Sequence, residues 1–196
     1  MRKIAHVGEL AYNQCEMGAK TLYSFPQILS AFAKIHEVKQ EHMLALRGKI
    51  QNYQKLGVVP FVQGRGKRVR YSLDDVYMWA LCLEFSEFNV DPKIISDIVS
   101  RQWSRVNHGF FDKGKKDWFI HFRPSFVVDP TLRFATAQNF NAVICQDENL
   151  KRYLSKNRTN PAVSDDTIVE FTTRHGTINV SHVRRQIDSA LATAAG

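Results

Sequence analysis

The chain has 196 residues, enough for one or two domains with real cores, and apolar and aromatic fractions of 44% and 11% exclude a disordered polymer. A net charge of +8 and a pI near 9.5 turn attention to anionic partners, although total charge by itself selects none. No run approaches the roughly 18 apolar residues of a membrane span, so no membrane association is expected.

At the N-terminus, Met1-Arg2-Lys3 precedes Ile4, Val7 and Leu10, but His6, Gly8 and Glu9 interrupt the apolar core that a secretion signal needs. Residues 1–21 read as an arm, either packed on the domain as a short helix or free as a tail. Cys15, Cys82 and Cys145 are far apart and odd in number, with no disulfide or metal spacing. Cys82 falls in an apolar helical run and reads as a buried thiol. A cytoplasmic compartment is the expectation.

From Ser24 the pattern sharpens. Ser24 is placed to cap a helix with Pro26 in its first turn, where a missing N–H costs little. Ile28, Leu29, Phe32 and Ile35 give that helix its apolar side. A second helix follows, in which Met43, Leu46, Ile50 and Tyr53 recur at spacings of three and four. Its opposite side carries Arg47, Gly48, Gln51, Asn52 and Lys55, with Lys49 beside them. Gly57 ends the helix and Pro60 follows. Gly64 and Gly66 bracket a tight basic turn holding Arg65, Lys67, Arg68 and Arg70, and Val69 and Tyr71 suit a strand leaving it. Between Met43 and Ser72 the chain has seven Lys or Arg residues and no Asp or Glu, so the positive charge concentrates here.

Ser72-Leu73-Asp74-Asp75 is a strong helix start, with Ser72 placed to accept from the Asp75 N–H. Leu73, Val76, Tyr77, Ala80, Leu81 and Cys82 continue at helical spacing to about Phe88. Asp91-Pro92 opens a further helix with Ile94, Ile95, Ile98 and Val99 on one side.

This order of helix, basic helix, strand, basic hairpin, strand and two helices resembles the MerR-type winged helix-turn-helix over residues 22–102. The recognition-helix end corresponds to Asn52-Tyr53-Gln54-Lys55-Leu56-Gly57-Val58-Val59-Pro60. The wing and the helix after it correspond to Gly66-Lys67-Arg68-Val69-Arg70-Tyr71-Ser72-Leu73-Asp74-Asp75-Val76. The segment from Phe25 to Gly57 is longer than the compact family pattern. Either the recognition helix begins early, near Val38, or the turn at Ile35–Glu37 is unusual.

The resemblance implies binding to double-stranded DNA. Arg65, Lys67, Arg68 and Arg70 would then neutralise phosphates or enter a minor groove, and the glycines let the backbone approach. Gln51 and Asn52 have the paired donor and acceptor that match adenine, while Lys49 and Lys55 flank them for phosphates, Arg47 shares the same DNA-binding face, and Gly48 leaves room for close approach. Tyr71 is divided between packing under the wing and a phosphate contact. A solvated basic hairpin on an amphipathic helix would carry the same residues without any partner.

Asn107–Lys116 reads as a linker, being polar with His108-Gly109 and Asp112-Lys113-Gly114-Lys115-Lys116. Beyond it, Trp118–Phe122, Phe126–Val128, Leu132–Ala135 and Thr167–Thr172 are strand-like, and Thr177–Val180 completes a hairpin with the last of these. Leu150, Tyr153 and Leu154 suggest a helix. Ser181 is placed to cap a last helix carrying Val183, Ile187, Ala190 and Leu191. No heptad pattern follows Trp103, unlike the coiled coil of classical MerR regulators.

The expected fold class is α+β, with an arm (1–21), a MerR-like winged helix-turn-helix (22–106) and a small α+β domain (117–196) for dimerisation or for a ligand or protein partner. No serine elbow, phosphate loop, carboxylate pair or metal-ligand spacing among the seven histidines points to an enzyme, a cofactor or a metal. Arg174-His175 and Arg184-Arg185 suit either an anionic ligand or a plain charged surface. The functional expectation is a nucleoid-associated transcriptional regulator acting as a homodimer. The alternatives are a plasmid or phage accessory protein that shapes DNA, or a protein-docking module with a nucleic-acid tether.

Overall fold

A computed structural model of the chain describes residues 21–59, 69–122, 142–149, 152 and 176–195. Over these residues the fold is α+β, with five α-helices and two small antiparallel sheets.

Strand β1 (Tyr23–Ser24) leads directly into helix α1 (Phe25–Ile35). Ser24 stands at the N-cap position as the sequence suggests, its backbone N–H and its Oγ both donating to Gln27 Oε1, at 2.9 and 2.8 Å, with Pro26 in the first turn. The end of α1 is a Schellman closure. The Val38 N–H donates to Ala33 O at 2.8 Å and the Glu37 N–H to Lys34 O at 3.4 Å, which requires a left-handed Glu37 at φ +50°. A short 3-10 turn (Gln40–His42) then carries the chain into helix α2 (Met43–Lys55). The extra length before Gly57 is therefore a long turn, and α2 does not begin near Val38. Glu37 reverses the chain, and Val38 is spent packing against the core.

Helix α2 closes the same way. Val58 N–H donates to Tyr53 O at 3.1 Å and Gly57 N–H to Gln54 O at 3.0 Å, with Gly57 at φ +85°. Strand β2 (Arg70–Tyr71) pairs antiparallel with β1, Tyr71 opposite Tyr23 and Arg70 opposite Ser24. Helix α3 (Leu73–Ser86) starts on the expected capping box: Ser72 Oγ accepts from the Asp75 N–H at 3.3 Å, and the Ser72 N–H donates to Asp75 Oδ2 at 2.7 Å.

Helix α4 (Pro92–Phe111) starts on Asp91, which accepts from the Lys93 N–H at 2.8 Å. It runs through the first half of the expected linker. The sequence underrates this because Asn107, His108 and Gly109 look like loop residues. Yet Trp103, Val106 and Phe110 extend the apolar side by another two turns, and Val106 and Phe110 are buried. Gly109 has a packing role, since a Cβ there would lie 2.8 Å from Ile144 Cδ1 and 3.2 Å from Trp118 Cβ.

The second sheet has the order β4-β3-β5, with β3 (Phe119–Phe122) between β4 (Ala142–Cys145) and β5 (Gly176–Asn179). The sequence anticipates β3 and most of β5 but not β4. Residues 126–128, 132–135, 150, 153, 154 and 167–172, read as strands or a helix, lie outside the described residues. Helix α5 (Val180–Ala195) follows β5 without a turn. Its cap is Asn179, whose Oδ1 accepts from the His182 N–H at 2.8 Å, and not Ser181. Ser181 is already inside the helix, and its Oγ accepts from the Trp118 N–H at 2.9 Å.

Helix α5 packs chiefly on α1 and also touches α3 and α4. Tyr77 of α3 donates to Asp188 Oδ1 at 2.6 Å across this contact. Ile28 and Phe32 of α1, Phe122 and Ile178 of the second sheet, and Val183 and Ile187 of α5 belong to one cluster of buried side chains. The stretch read as a linker thus has one continuous core on both sides of it.

Candidate nucleic-acid interface

Helix α2 is sorted into two faces by its sequence. Leu46, Ile50 and Tyr53 are buried, while Arg47, Gly48, Lys49, Asn52 and Lys55 are exposed and Gln51 is half-buried. Three contacts hold the helix in place. Gln54 Nε2 donates to the Tyr71 hydroxyl at 3.2 Å, which ties it to β2. Ser96 Oγ donates to the Leu56 carbonyl at 2.8 Å, which ties its C-terminal end to α4. Lys49 Nζ lies 3.8 Å from Glu87 Oε1, at the end of α3. The helix therefore presents its polar face from a braced position.

Among the described residues neither Arg47 nor Lys55 has an ion-pair partner. Lys49 has the long, exposed pair with Glu87, which is weak in water. At Gly48 a Cβ would meet nothing within 4 Å, so no contact inside the protein requires glycine there.

On β2 the two candidates divide by strand alternation. Arg70 is exposed, and Tyr71 is 6% exposed. The Tyr71 ring lies 4.9 Å from that of Trp79 and 6.4 Å from that of Phe25, and its hydroxyl holds Gln54. Tyr71 therefore packs in the core and positions α2, which is the first of the two roles the sequence allows it. Arg65, Lys67 and Arg68 lie outside the described residues.

The other basic candidates resolve differently. Arg184 is largely buried and donates to the Asp112 carbonyl, and Arg185 holds Asp117 with two bonds, at 2.6 and 3.0 Å. Asn179 Nδ2 also donates to Asp117 Oδ2, at 3.1 Å. The Arg185 guanidinium, the Asn179 amide and the charge of Arg184 hold the Asp117 carboxyl down to about 2. These arginines brace the turn before β3 and are not a free anionic site. Arg174 and His175 lie outside the described residues.

Sequence reasoning gave no role to His121. It is fully buried in β3, with Nε2 2.9 Å from the Asp147 carbonyl and Nδ1 3.0 Å from Thr177 Oγ1. The carbonyl can only accept, so Nε2 carries the proton and Nδ1 accepts from threonine. Cys145 donates to the same carbonyl at 3.4 Å, and burial pushes its thiol up. Cys82 is buried as expected, and its thiol is pushed well up. The Asp147 carbonyl, His121, Thr177 and Cys145 form one hydrogen-bonded network, and both thiols are buried rather than accessible nucleophiles.

Among the described residues no group of three His, Cys, Asp or Glu could hold a metal ion, and no helix is long and apolar enough to cross a membrane. No protein-family model and no curated protein sequence matches this chain.

Proposed function

We propose that this chain is a sequence-specific double-stranded DNA-binding protein, a transcriptional regulator working as a homodimer at the nucleoid through a MerR-type winged helix-turn-helix. The observation that carries the reading is the polar face of α2. Arg47, Lys49, Asn52 and Lys55 are exposed together on a helix without one acidic residue, while Leu46, Ile50 and Tyr53 fix its back to the core. Exposed Arg70 adds a cation on β2, the strand whose next residue, Tyr71, is tied to α2 through Gln54. In this arrangement α2 enters the major groove, its amides meet base edges, and Arg47, Lys49, Lys55, Arg65, Lys67, Arg68 and Arg70 meet phosphates.

The test begins by selecting preferred sites from a random duplex library. Each variant is then titrated on selected and scrambled duplexes at one salt concentration. Asn52→Ala or Gln51→Ala should cost about 1–3 kcal/mol on the selected duplex and little on the scrambled one. Lys55→Ala should weaken both together. Equal losses on both duplexes for both amide variants would replace the regulator with an accessory protein that shapes DNA. No duplex binding at all would favour the protein-docking reading.

A further inference from the structure

The turn between α1 and α2 roofs a pocket of about 330 Å³. Val38, Ala45, Leu46 and Leu83 line it with apolar surface, and His36, His42, Lys49 and Glu87 supply its polar groups. Two imidazoles, one ammonium and one carboxylate thus line the same pocket, and that carboxylate sits 3.8 Å from Lys49 with its side chain 66% exposed. His42 has Glu41 at 3.7 Å outside the lining. Such a cavity is at the small end for a ligand site. It suits a compact molecule with one anionic end and a short hydrocarbon body.

We propose that this pocket binds a small aliphatic carboxylate, whose occupancy draws Lys49 inward from the polar face of α2. The anionic end takes the place of Glu87 on Lys49. Glu87 gives way easily because its pair with Lys49 is long and its carboxylate can return to water. The imidazoles of His36 and His42 supply further hydrogen bonds. Burial pulls His36 below its usual value, with Lys49 acting in the same direction and Glu87 against it, so the ring enters the site mainly as a neutral donor. The hydrocarbon body lies against Val38 and Ala45, above the buried Leu46 and Leu83. The effect on Lys49 rests on the proposed DNA-binding function; the binding of a carboxylate does not.

The experiment titrates the whole chain with sodium butyrate, against sodium chloride at matched ionic strength, and follows the His36 and His42 ring signals and the Leu83 methyl signals by NMR. Saturable shifts with butyrate alone are expected. Glu87→Gln should tighten the midpoint and Lys49→Gln should weaken it. Ala45→Phe, at an exposed helix position, should fill the pocket and abolish the shifts. Non-saturating shifts, or equal shifts with chloride, would overturn the site. Should Ala45→Phe not fold, an unchanged midpoint in Lys49→Gln would overturn it equally. In duplex titrations, butyrate should reduce the salt slope of wild-type protein by about 0.9, one phosphate contact. An unchanged slope with a saturated pocket would overturn the link to Lys49. Failure of the unliganded protein to bind any duplex would instead overturn the DNA reading, while the NMR shifts still decide the pocket.

Discussion

Glu37 and Gly57 occupy equivalent places at the ends of α1 and α2, both in the left-handed region, but only one is glycine. A side chain in that region costs about 1–2 kcal/mol, against about 0.5–1 kcal/mol for the extra freedom glycine loses. Glu37→Gly should therefore raise stability by about 0.5–1 kcal/mol, seen as a higher urea midpoint with unchanged slope. Gly48 poses the opposite question. It lies inside α2, and a methyl group there meets nothing. Gly48→Ala should stabilise the fold by about 0.8–1 kcal/mol on helix propensity. If the bare backbone serves close approach to DNA, the same variant should bind duplex more weakly. A rise in both stability and affinity would remove Gly48 from the interface.

At the scale of elements, the starts of α1, α3 and α4 and the end of α2 were legible in the sequence because a few adjacent residues set them. Ser24 with Gln27, Ser72 with Asp75, Asp91 with Pro92, and Gly57 all act within one turn of their helix. The basic face of α2 was legible for the same reason, since periodicity alone sorts it. What the sequence hid depends on distant partners. Strand β4 is defined by pairing with β3, Tyr71 by the rings of Phe25 and Trp79, and the true cap of α5 by Ser181 being taken up by Trp118. The clamp of Asp117 by Arg185 and Asn179 is another such case, and it has a pH signature. Its carboxyl is depressed to about 2, below the ordinary unfolded value of about 3.9. The stability it gives is present above that unfolded value and is lost as pH falls through the folded one. The difference in urea midpoint between wild type and Asp117→Asn should be constant near neutrality and shrink between pH 4 and 2. Arg185 is half exposed, so added salt should reduce the difference throughout.

For the whole molecule, the relation between the two halves is the open prediction. Lys113, Lys115 and Lys116 are exposed in the turn after α4, so brief trypsin treatment should cut there. Because α5 packs on α1 and the buried cluster is continuous, the two pieces should stay together on a sizing column. They should part only in denaturant. Separation under native conditions would support two independent domains. In the associated case, a fragment ending before the cut should bind duplex poorly even though it contains the whole of α2 and β2, since α1 would have lost its cover.

That cover arrives late in the life of the chain. The ribosome finishes α1 at Ile35 and reaches the first residue of α5 at Val180. At about 5–20 residues per second, the interval is roughly 7–30 s. Throughout it Ile28 and Phe32 lack their final neighbours, and nascent chains are open to chaperones, to proteases and to one another. The basic helix emerges within that window on a scaffold that is not yet set. A chain ended upstream of α5 would keep the basic helix but leave Ile28 and Phe32 of α1 without the helix that covers them.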